Sequence, residues 1–365
     1  MSRDGLREAR VPRESRSAFF GRPGRPVVVG GCPRSGTTLV RAMLNSHPEL
    51  AMPRETRFVI EAWLRRKEFG DFRLLANRES LARWIFEDKK THHRKLGLDS
   101  EAAVERLKAA PPTLGSLLGM CFVMYAEKHG KARWGDKRPM YAAQMQVVWD
   151  LFPEAQFINV IRDPRACVAS MRRLGWYRGH VAPAAELWER SIKTVNAWRG
   201  RLAHDHVIDV RYEELVTDPE TSAARMAAFL GLASDEAAIE QMLNYHERKE
   251  RRSARYHANL SRPPDPALVS AWTDSLKPAQ VAFVEHVLGP LMERYGYECV
   301  APGVAPPAKL LRAFRHRRRR QAAARRKLAL RDRFMRSVTY RHPLAAELPA
   351  ALTPRTAVDE IPSRG

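Results

Sequence analysis

The segment at residues 26–50, PVVVGGCPRSGTTLVRAMLNSHPEL, constrains the fold of this chain more than any other stretch. Its apolar run VVV is typical of a central strand that is buried on both faces of a parallel sheet. The Gly/Ser/Thr loop that follows lets the backbone turn, and Gly36 lets it approach an anion closely. The helix that begins at Thr37 exposes amide N–H groups at its positive end. The segment therefore predicts a strand, a phosphate-binding loop and a helix, with the hydroxyls of Ser35, Thr37 and Thr38 as further donors.

The loop departs from the pattern that binds nucleoside triphosphates. That pattern requires Gly-Lys-Ser/Thr, in which the lysine reaches the terminal phosphates and the hydroxyl binds magnesium. Here Gly36 is followed by Thr37, and the nearest cation in the loop is Arg34. A phosphotransferase that uses magnesium and ATP is therefore disfavoured. An ordinary tight turn stays an alternative for the loop taken alone.

The rest of the central region alternates short β-branched runs with helical periodicity. The runs VVVGG, ARWGD, QFINVIR and HVIDVR indicate strands, and ETRFVIEAWLRRK, PMYAAQMQVVWDLF and PRACVASMRR each indicate one helix. Such alternation predicts an α/β fold with a parallel sheet that is flanked by helices. In such sheets ligands bind beyond the carboxyl ends of the strands.

Charge is concentrated at the ends of the chain. The formal net charge is +22, and residues 309–341 carry 14 Lys and Arg against Asp332 alone. We expect a basic, disordered N-terminus at residues 1–25, one large folded domain at 26–300 and a basic tail, helical or disordered, at 301–365. A basic helix of this kind binds an anionic membrane surface, an acidic partner or nucleic acid, and a merely solvated extension is the alternative.

The cysteines and the hydropathy bear on the compartment. Four cysteines lie far apart with no CxxC pair, which indicates neither a zinc site nor a disulfide framework. No apolar run approaches the roughly 18 residues of a membrane span. We therefore expect a cytoplasmic protein, either free or peripheral at the inner membrane face. His92 and His93 have no ligand partners at metal spacing, which favours a solvated loop.

A second motif, FINVIRDPRACVASM, follows a predicted strand more than a hundred residues later. Asp163 is a good N-cap and Pro164 suits the first helical turn, so these two residues have an architectural explanation. Arg162 at the strand end and Ser170 two turns into the helix are harder to explain in that way.

Together these motifs resemble sulfotransferases that use 3′-phosphoadenosine-5′-phosphosulfate (PAPS). PRSGTTLVRAMLNSHP resembles the 5′-phosphosulfate loop of that superfamily, and the likeness is greatest to the tyrosylprotein sulfotransferases, which share GG-x-PRSGTTL-x-RAML-x-x-HP. It continues into MPRETRFVI and covers roughly residues 26–298. The resemblance implies the sulfotransferase fold, a P-loop NTPase-like parallel sheet. It also implies an enzyme with PAPS as co-substrate, 3′-phosphoadenosine-5′-phosphate (PAP) as product and no metal.

The resemblance also implies roles for individual residues. It makes Glu55 the general base, puts Arg34 and Lys137 at the leaving oxygen, and suggests an assisting serine. Ser253 is the favoured serine, and Ser261 is its competitor. The residues implied in donor binding are Arg34, Ser35, Gly36, Thr37, Thr38, Arg162, Ser170 and Tyr212. Tyr212, in RYEELVTDPE, has an alternative explanation as an aromatic residue that packs under the sheet.

Two positions depart from the family pattern. The family's arginine near the 3′-phosphate falls where this chain has Leu174, one position after Arg173, and the family's lysine before Trp272 is Ala271 here. The sequence leaves two classes of acceptor. The resemblance suggests a protein tyrosine with acidic neighbours that Arg57 could meet, and a sugar or lipid hydroxyl is the alternative. A different function, non-catalytic binding of membrane or nucleic acid on a P-loop scaffold, also stays open, and the sequence carries no indication of oligomeric state.

Overall fold

A parallel five-stranded sheet organises the chain. The computed structural model describes residues 25–174, 180–247, 258–338 and 344–347. The strands are β1 (Val27–Gly31), β2 (Leu50–Ala51), β3 (Arg133–Lys137), β4 (Gln156–Ile161) and β5 (Val207–Arg211). Their order is β2-β3-β1-β4-β5, and all neighbouring pairs are parallel. The predicted α/β fold class is thereby confirmed, and the two-residue strand β2 was not predicted.

Helices cover both faces of the sheet. They are α1 (Thr37–Ser46), α2 (Phe58–Arg65), α3 (Leu75–Glu87), α4 (Ser100–Ala109), α5 (Leu114–Lys128), α6 (Met145–Leu151), α7 (Pro164–Arg172), α8 (Val181–Arg199), α9 (Tyr212–Thr217), α10 (Pro219–Leu230), α11 (Glu236–Leu243), α12 (Pro278–Arg294) and α13 (Ala308–Val338). Short 3₁₀ turns occur at Lys89–Thr91, His93–Lys95, Pro139–Ala143, Asn244–Glu247, Ala258–Ser261 and Pro266–Leu268. In the part of the chain that is described, no helix has the length and apolar character needed to cross a membrane.

The alternation of side chains along β1 explains why its apolar run is continuous. Val28 packs into a cluster with α2 to α6 on one face of the sheet, which we call the first core cluster. Val27 and Val29 pack on the opposite face with α1 and α9 to α11. Successive residues of a strand point to opposite faces, so a strand covered on both sides needs apolar residues throughout.

Two predicted helices differ from the observed ones. The predicted helix PMYAAQMQVVWDLF is a 3₁₀ turn followed by α6, with a break at Gln144 (φ −138°). The turn packs on β1, where a Cβ on Gly30 would lie 2.9 Å from the amide nitrogen of Ala142. The helix predicted to begin at Glu55 begins at Phe58 instead. Contacts from distant residues hold Glu55 in a loop, as described below.

The basic extension forms a helix that packs on the domain. Phe314 of α13 is buried and lies edge-on to Phe283, with ring centroids 5.9 Å apart. Beyond α13, residues 344–347 pair with the start of α5, where the Gly115 amide donates to the Leu344 carbonyl over 2.8 Å. The predicted disordered N-terminus at residues 1–25 lies outside the described residues except for Arg25, which is buried and pairs with Asp205 over 2.7 Å.

Candidate active site

The loop after β1 forms an anion-binding helix end. Gly36 is the N-cap of α1, has φ +103° and makes no side-chain cap hydrogen bond. The first amide N–H groups of α1 therefore lack a capping acceptor and point outward, as in phosphate-binding loops. Gly36 is required on two grounds. Its φ favours glycine, and a Cβ would lie 2.5 Å from Cδ2 of Tyr212.

The hydroxyl groups of the loop face different ways. Thr37 and Thr38 line the cavity beside the loop. Ser35 is fully buried, and its amide donates to the Cys32 carbonyl over 3.0 Å. A Cβ on Gly31 would lie 2.7 Å from Ser35 Oγ, so the Ser35 hydroxyl points into the loop. Among the described residues this hydroxyl has no hydrogen-bond partner.

Three of the predicted donor-binding residues come together at the carboxyl ends of β1 and β4. Arg34 Nε donates to Ser170 Oγ over 3.0 Å, and Arg162 Nη1 donates to the Arg34 carbonyl over 3.4 Å. Burial, followed by the neighbouring Arg162, lowers the pKa of Arg34. Two guanidinium groups thus share one partly buried site, which attracts an anion. The predicted place of Arg34 is at the leaving oxygen, and in this structure its side chain reaches Ser170.

Tyr212 belongs to the same site. The Arg162 guanidinium carbon lies 3.9 Å from the centroid of the Tyr212 ring, and the ring also covers Gly36. Arg162 Nη2 donates to the Leu268 carbonyl over 2.7 Å. Within the described residues, Arg162 Nε is buried without a hydrogen-bond partner. An anion beside Arg162 would satisfy this donor.

Glu55 and Lys137 form an ion pair at the end of β3. Lys137 Nζ lies 2.8 Å from Glu55 Oε2 and donates to Thr38 Oγ1 over 3.3 Å. The Lys137 side chain is 4% exposed and that of Glu55 is 35% exposed. Burial alone would raise the pKa of the Glu55 carboxyl, but Lys137 and other nearby cations outweigh it and hold that pKa below its usual value. Burial lowers the pKa of Lys137, and Glu55 opposes that shift. The neighbouring ammonium group thus favours the deprotonated form of Glu55.

Sequence reasoning missed Lys95, which holds the Glu55 loop. Lys95 Nζ donates to the Glu55 carbonyl over 2.6 Å and lies 3.0 Å from His92 Nδ1. The Arg57 amide donates to the Thr91 carbonyl over 2.8 Å, which ties the same loop a second time. Burial lowers the pKa of Lys95 to about 8. A single lysine forty residues from Glu55 carries no local signal of this role.

The histidine pair is not a solvated loop, and that prediction was wrong. His93 is buried, and its Nδ1 lies 3.1 Å from Thr91 Oγ1. His92 adopts a left-handed backbone (φ +60°) between two 3₁₀ turns. In the described part of the chain, no group of three or more His, Cys, Asp or Glu side chains is arranged to hold a metal.

Of the two serine candidates, Ser253 lies outside the described residues. Ser261 is exposed, whereas its neighbours Leu260 and Arg262 line the cavity. Arg173 also lines the cavity, and its guanidinium donates to Ser275 Oγ. Arg173 therefore reaches the site although the family pattern expects an arginine one position later.

One cavity of about 750 Å³ joins these groups. Its lining includes Arg34, Gly36, Thr37, Thr38, Glu55, Arg57, Arg138, Arg162, Ser170 and Tyr212. Lys137 contacts two of these residues, Glu55 and Thr38. The cavity thus combines an uncapped helix N-terminus, an arginine pair and a carboxylate–ammonium pair.

Comparisons with known proteins find sulfotransferases both by sequence and by structure. The model of the sulfotransferase family matches residues 26–236. Protein-tyrosine sulfotransferase 1 of Danio rerio is 26% identical over 296 residues, which cover 77% of this chain and 74% of that protein. Protein-tyrosine sulfotransferase 1 of Homo sapiens is 26% identical over 294 residues, with coverage of 77% and 71%. The sulfotransferase domain from the Synechococcus PCC 7002 olefin synthase superposes with a TM-score of 0.54 at 25% identity and covers 77% of this chain and 97% of that domain.

Proposed function

The chain belongs to the sulfotransferase family, and from that premise we propose that it moves a sulfuryl group from PAPS to an acceptor hydroxyl at the cavity between Arg34 and Glu55. The resemblance to sulfotransferases predicted from the sequence is confirmed, and the chain is an enzyme of that family. The donor's position, the roles of the residues and the acceptor are the substance of the proposal.

The observation that carries the proposal is a pair of anion sites on one cavity. The uncapped N-terminus of α1 suits the 5′-phosphosulfate, because no side chain caps the Thr37 and Thr38 amides. The site of Arg162 and Ser170 suits the 3′-phosphate, because Arg162 Nε is buried without a partner. Tyr212 stacks on Arg162 and lies beside the nucleotide. PAPS, when bound, supplies an activated sulfuryl group and a leaving group that carries its own negative charge.

Glu55 accepts the proton of the acceptor hydroxyl. A carboxylate is a weak base, since its ordinary pKa is near 4.3. The Lys137 ion pair keeps Glu55 deprotonated and ready to accept a proton. As negative charge grows on the leaving oxygen, Lys137 exchanges Glu55 for that oxygen. Burial then raises the pKa of Glu55 and makes it a stronger base.

The acceptor presents its hydroxyl beside a cationic rim. Arg57 is exposed and lines the cavity, and Arg138 lines it nearby. The relatives named above are protein-tyrosine sulfotransferases, and a tyrosine with acidic neighbours fits this rim. A sugar or lipid hydroxyl next to an anionic group fits the same chemistry.

Transfer of labelled sulfate tests the proposal. The purified protein is incubated with ³⁵S-labelled PAPS and, in separate reactions, an acidic tyrosine peptide, an anionic oligosaccharide and an anionic hydroxylipid. We expect label in one acceptor class with the wild type, and a loss of about 10²–10⁴-fold in rate with Glu55→Gln. Calorimetry with PAP and with adenosine 5′-phosphate tests the donor site separately. No heat from PAP would contradict the proposed donor.

A further inference from the structure

Helix α13 is fixed along the side of the domain by one of its faces. Phe314 is buried against Phe283 of α12. Arg317 Nε lies 3.4 Å from Glu186 Oε2 of α8, and Leu328 packs against the first core cluster. These contacts recur at helical spacing and define an inner face of α13.

The opposite face of α13 is a row of cations. At 100° per residue, the positions opposite Phe314 hold Lys309, Arg312, Arg319, Arg320, Arg326 and Lys327. All six residues are exposed. No acidic residue occurs in the sequence from 309 to 331. Within the described residues, the ion pairs of α13 are Arg317–Glu186 and Arg318–Glu189, and neither involves the outer row.

The shape and composition of this outer row suit a flat anionic surface. The row from Lys309 to Lys327 extends about 27 Å at 1.5 Å per residue. A helix that enters a DNA major groove, which is about 12 Å wide, must protrude from the surface around it. Here the inner face of α13 packs along α8 and α12, so the outer face follows the side of the domain.

Exposed apolar residues flank the cations in the sequence. Leu330 continues the outer row and is 66% exposed, and Val300 and Val304 precede the helix with exposures of 61% and 46%. Apolar side chains beside Lys and Arg are typical of surfaces that bind at the headgroup level of a bilayer. Phosphate groups of nucleic acid offer such side chains no favourable partner.

We propose that the outer face of α13 docks the enzyme on a bilayer that contains anionic lipids. The attraction depends on the cations and does not involve the catalytic cavity, so the proposal stands independently of the acceptor and the donor. Placement at the inner membrane face stays a prediction.

Vesicle binding by the full chain tests the proposal. Sedimentation is measured with vesicles of phosphatidylcholine alone and with about 30 mol% phosphatidylglycerol, at about 0.1 M salt. We expect binding to the mixed vesicles, and a loss on the order of 100-fold in the triple variant Arg312→Gln, Arg319→Gln, Arg326→Gln, since each cation near an anionic surface contributes about five-fold. The control Lys89→Gln, Lys90→Gln, Arg201→Gln removes the same charge from exposed positions on other elements.

Three results would overturn the proposal. The first is equal binding of the wild type to both kinds of vesicle. The second is an equal loss in the two triple variants, which would assign binding to net charge. The third is binding to short duplex DNA that is tighter than binding to mixed vesicles at the same salt and that is lost in the α13 variant. Unchanged thermal melting of each variant shows that the fold is intact.

Discussion

Lys137 Nζ and Glu55 Oε2 lie 2.8 Å apart, although the two residues are separated by 82 positions in the chain. The end of β3 places the lysine, and a loop tied by Lys95 places the carboxylate. In the proposed reaction, this pair brings the general base next to the cation that approaches the leaving oxygen.

Replacing Glu55 by Gln should lower kcat by about 10²–10⁴-fold and leave the Kd for PAP nearly unchanged. The amide keeps the shape of the side chain but cannot accept the acceptor's proton. Turnover is measured with labelled PAPS and Kd by calorimetry. Glu68→Gln is the matched control, because Glu68 pairs with Arg65 over 2.7 Å and neither residue lines the cavity. Unchanged kcat in Glu55→Gln would assign the base to another residue.

Lys95 should act as a positioning residue with a signature in the pH profile. Its pKa of about 8 predicts that it loses its charge above pH 8, which weakens its hydrogen bond to the Glu55 carbonyl. We expect the kcat of the wild type to fall above pH 8. Lys95→Arg, which stays protonated, should keep its rate there. Lys95→Met should lower kcat by about 10-fold at all pH values, since methionine has no N–H group to donate to the Glu55 carbonyl. Identical profiles for the wild type and Lys95→Arg would exclude this role.

The sheet and the donor loops could be predicted from sequence because their signals are local. The apolar run of β1, the Gly36 turn and the Arg162–Ser170 spacing each lie within about a dozen residues, and the structure brings these segments to one cavity. Strand β2 escaped prediction because two residues carry no periodicity, and its pairing with β3 decides it.

The contacts that hold the loop containing Glu55 could not be predicted from sequence. Glu55 stays out of α2 because Lys95 and Thr91, which are distant in sequence, form hydrogen bonds with the backbone of its loop. In the sequence, neither residue differs from an ordinary surface residue. Ser35 likewise fits the motif, yet its hydroxyl turns inward next to Gly31, which follows from the three-dimensional path of the loop.

Arg162→Gln should remove the preference for a 3′-phosphate. Loss of charge-assisted hydrogen bonds, each about 1.5–3 kcal/mol, should weaken PAP binding by about 10–100-fold. Binding of adenosine 5′-phosphate, which lacks the 3′-phosphate, should change little. Arg225→Gln on α10 is the control, because Arg225 binds Glu214 and Asp209, and none of these three residues lines the cavity. An equal loss for both nucleotides would mean that Arg162 holds the fold of the site rather than the phosphate.

Gly36→Ala should abolish detectable PAP binding through a clash as well as through backbone strain. The left-handed backbone alone costs a residue with a Cβ about 1–2 kcal/mol. The new methyl would also lie 2.5 Å from the Tyr212 ring. Gly130→Ala separates these effects, because Gly130 has φ +63° and nothing within 4 Å of its Cβ position. Both variants should lose stability in urea unfolding, and PAP affinity should fall in Gly36→Ala alone. Normal affinity in Gly36→Ala would place the donor elsewhere.

Asp136, beside Lys137 on β3, should make stability fall as pH rises from about 4 to 6. Burial raises the pKa of Asp136 to about 6, and the Tyr141 hydroxyl, which donates to it, only partly offsets that shift. The unfolded value is near 3.9, so the native state binds more protons than the unfolded state between these two pH values. The stabilisation is complete below pH 4 and is lost through pH 6.

The free energy of unfolding of the wild type, minus that of Asp136→Asn, should therefore drop by at most about 3 kcal/mol between pH 4 and pH 7, as two units of pKa imply. Urea titrations at several pH values measure this difference. The control Asp274→Asn changes an exposed aspartate and should give a flat difference. A flat difference for Asp136→Asn as well would mean that the buried carboxyl titrates like an exposed one, with Lys137 or water stabilising its charge.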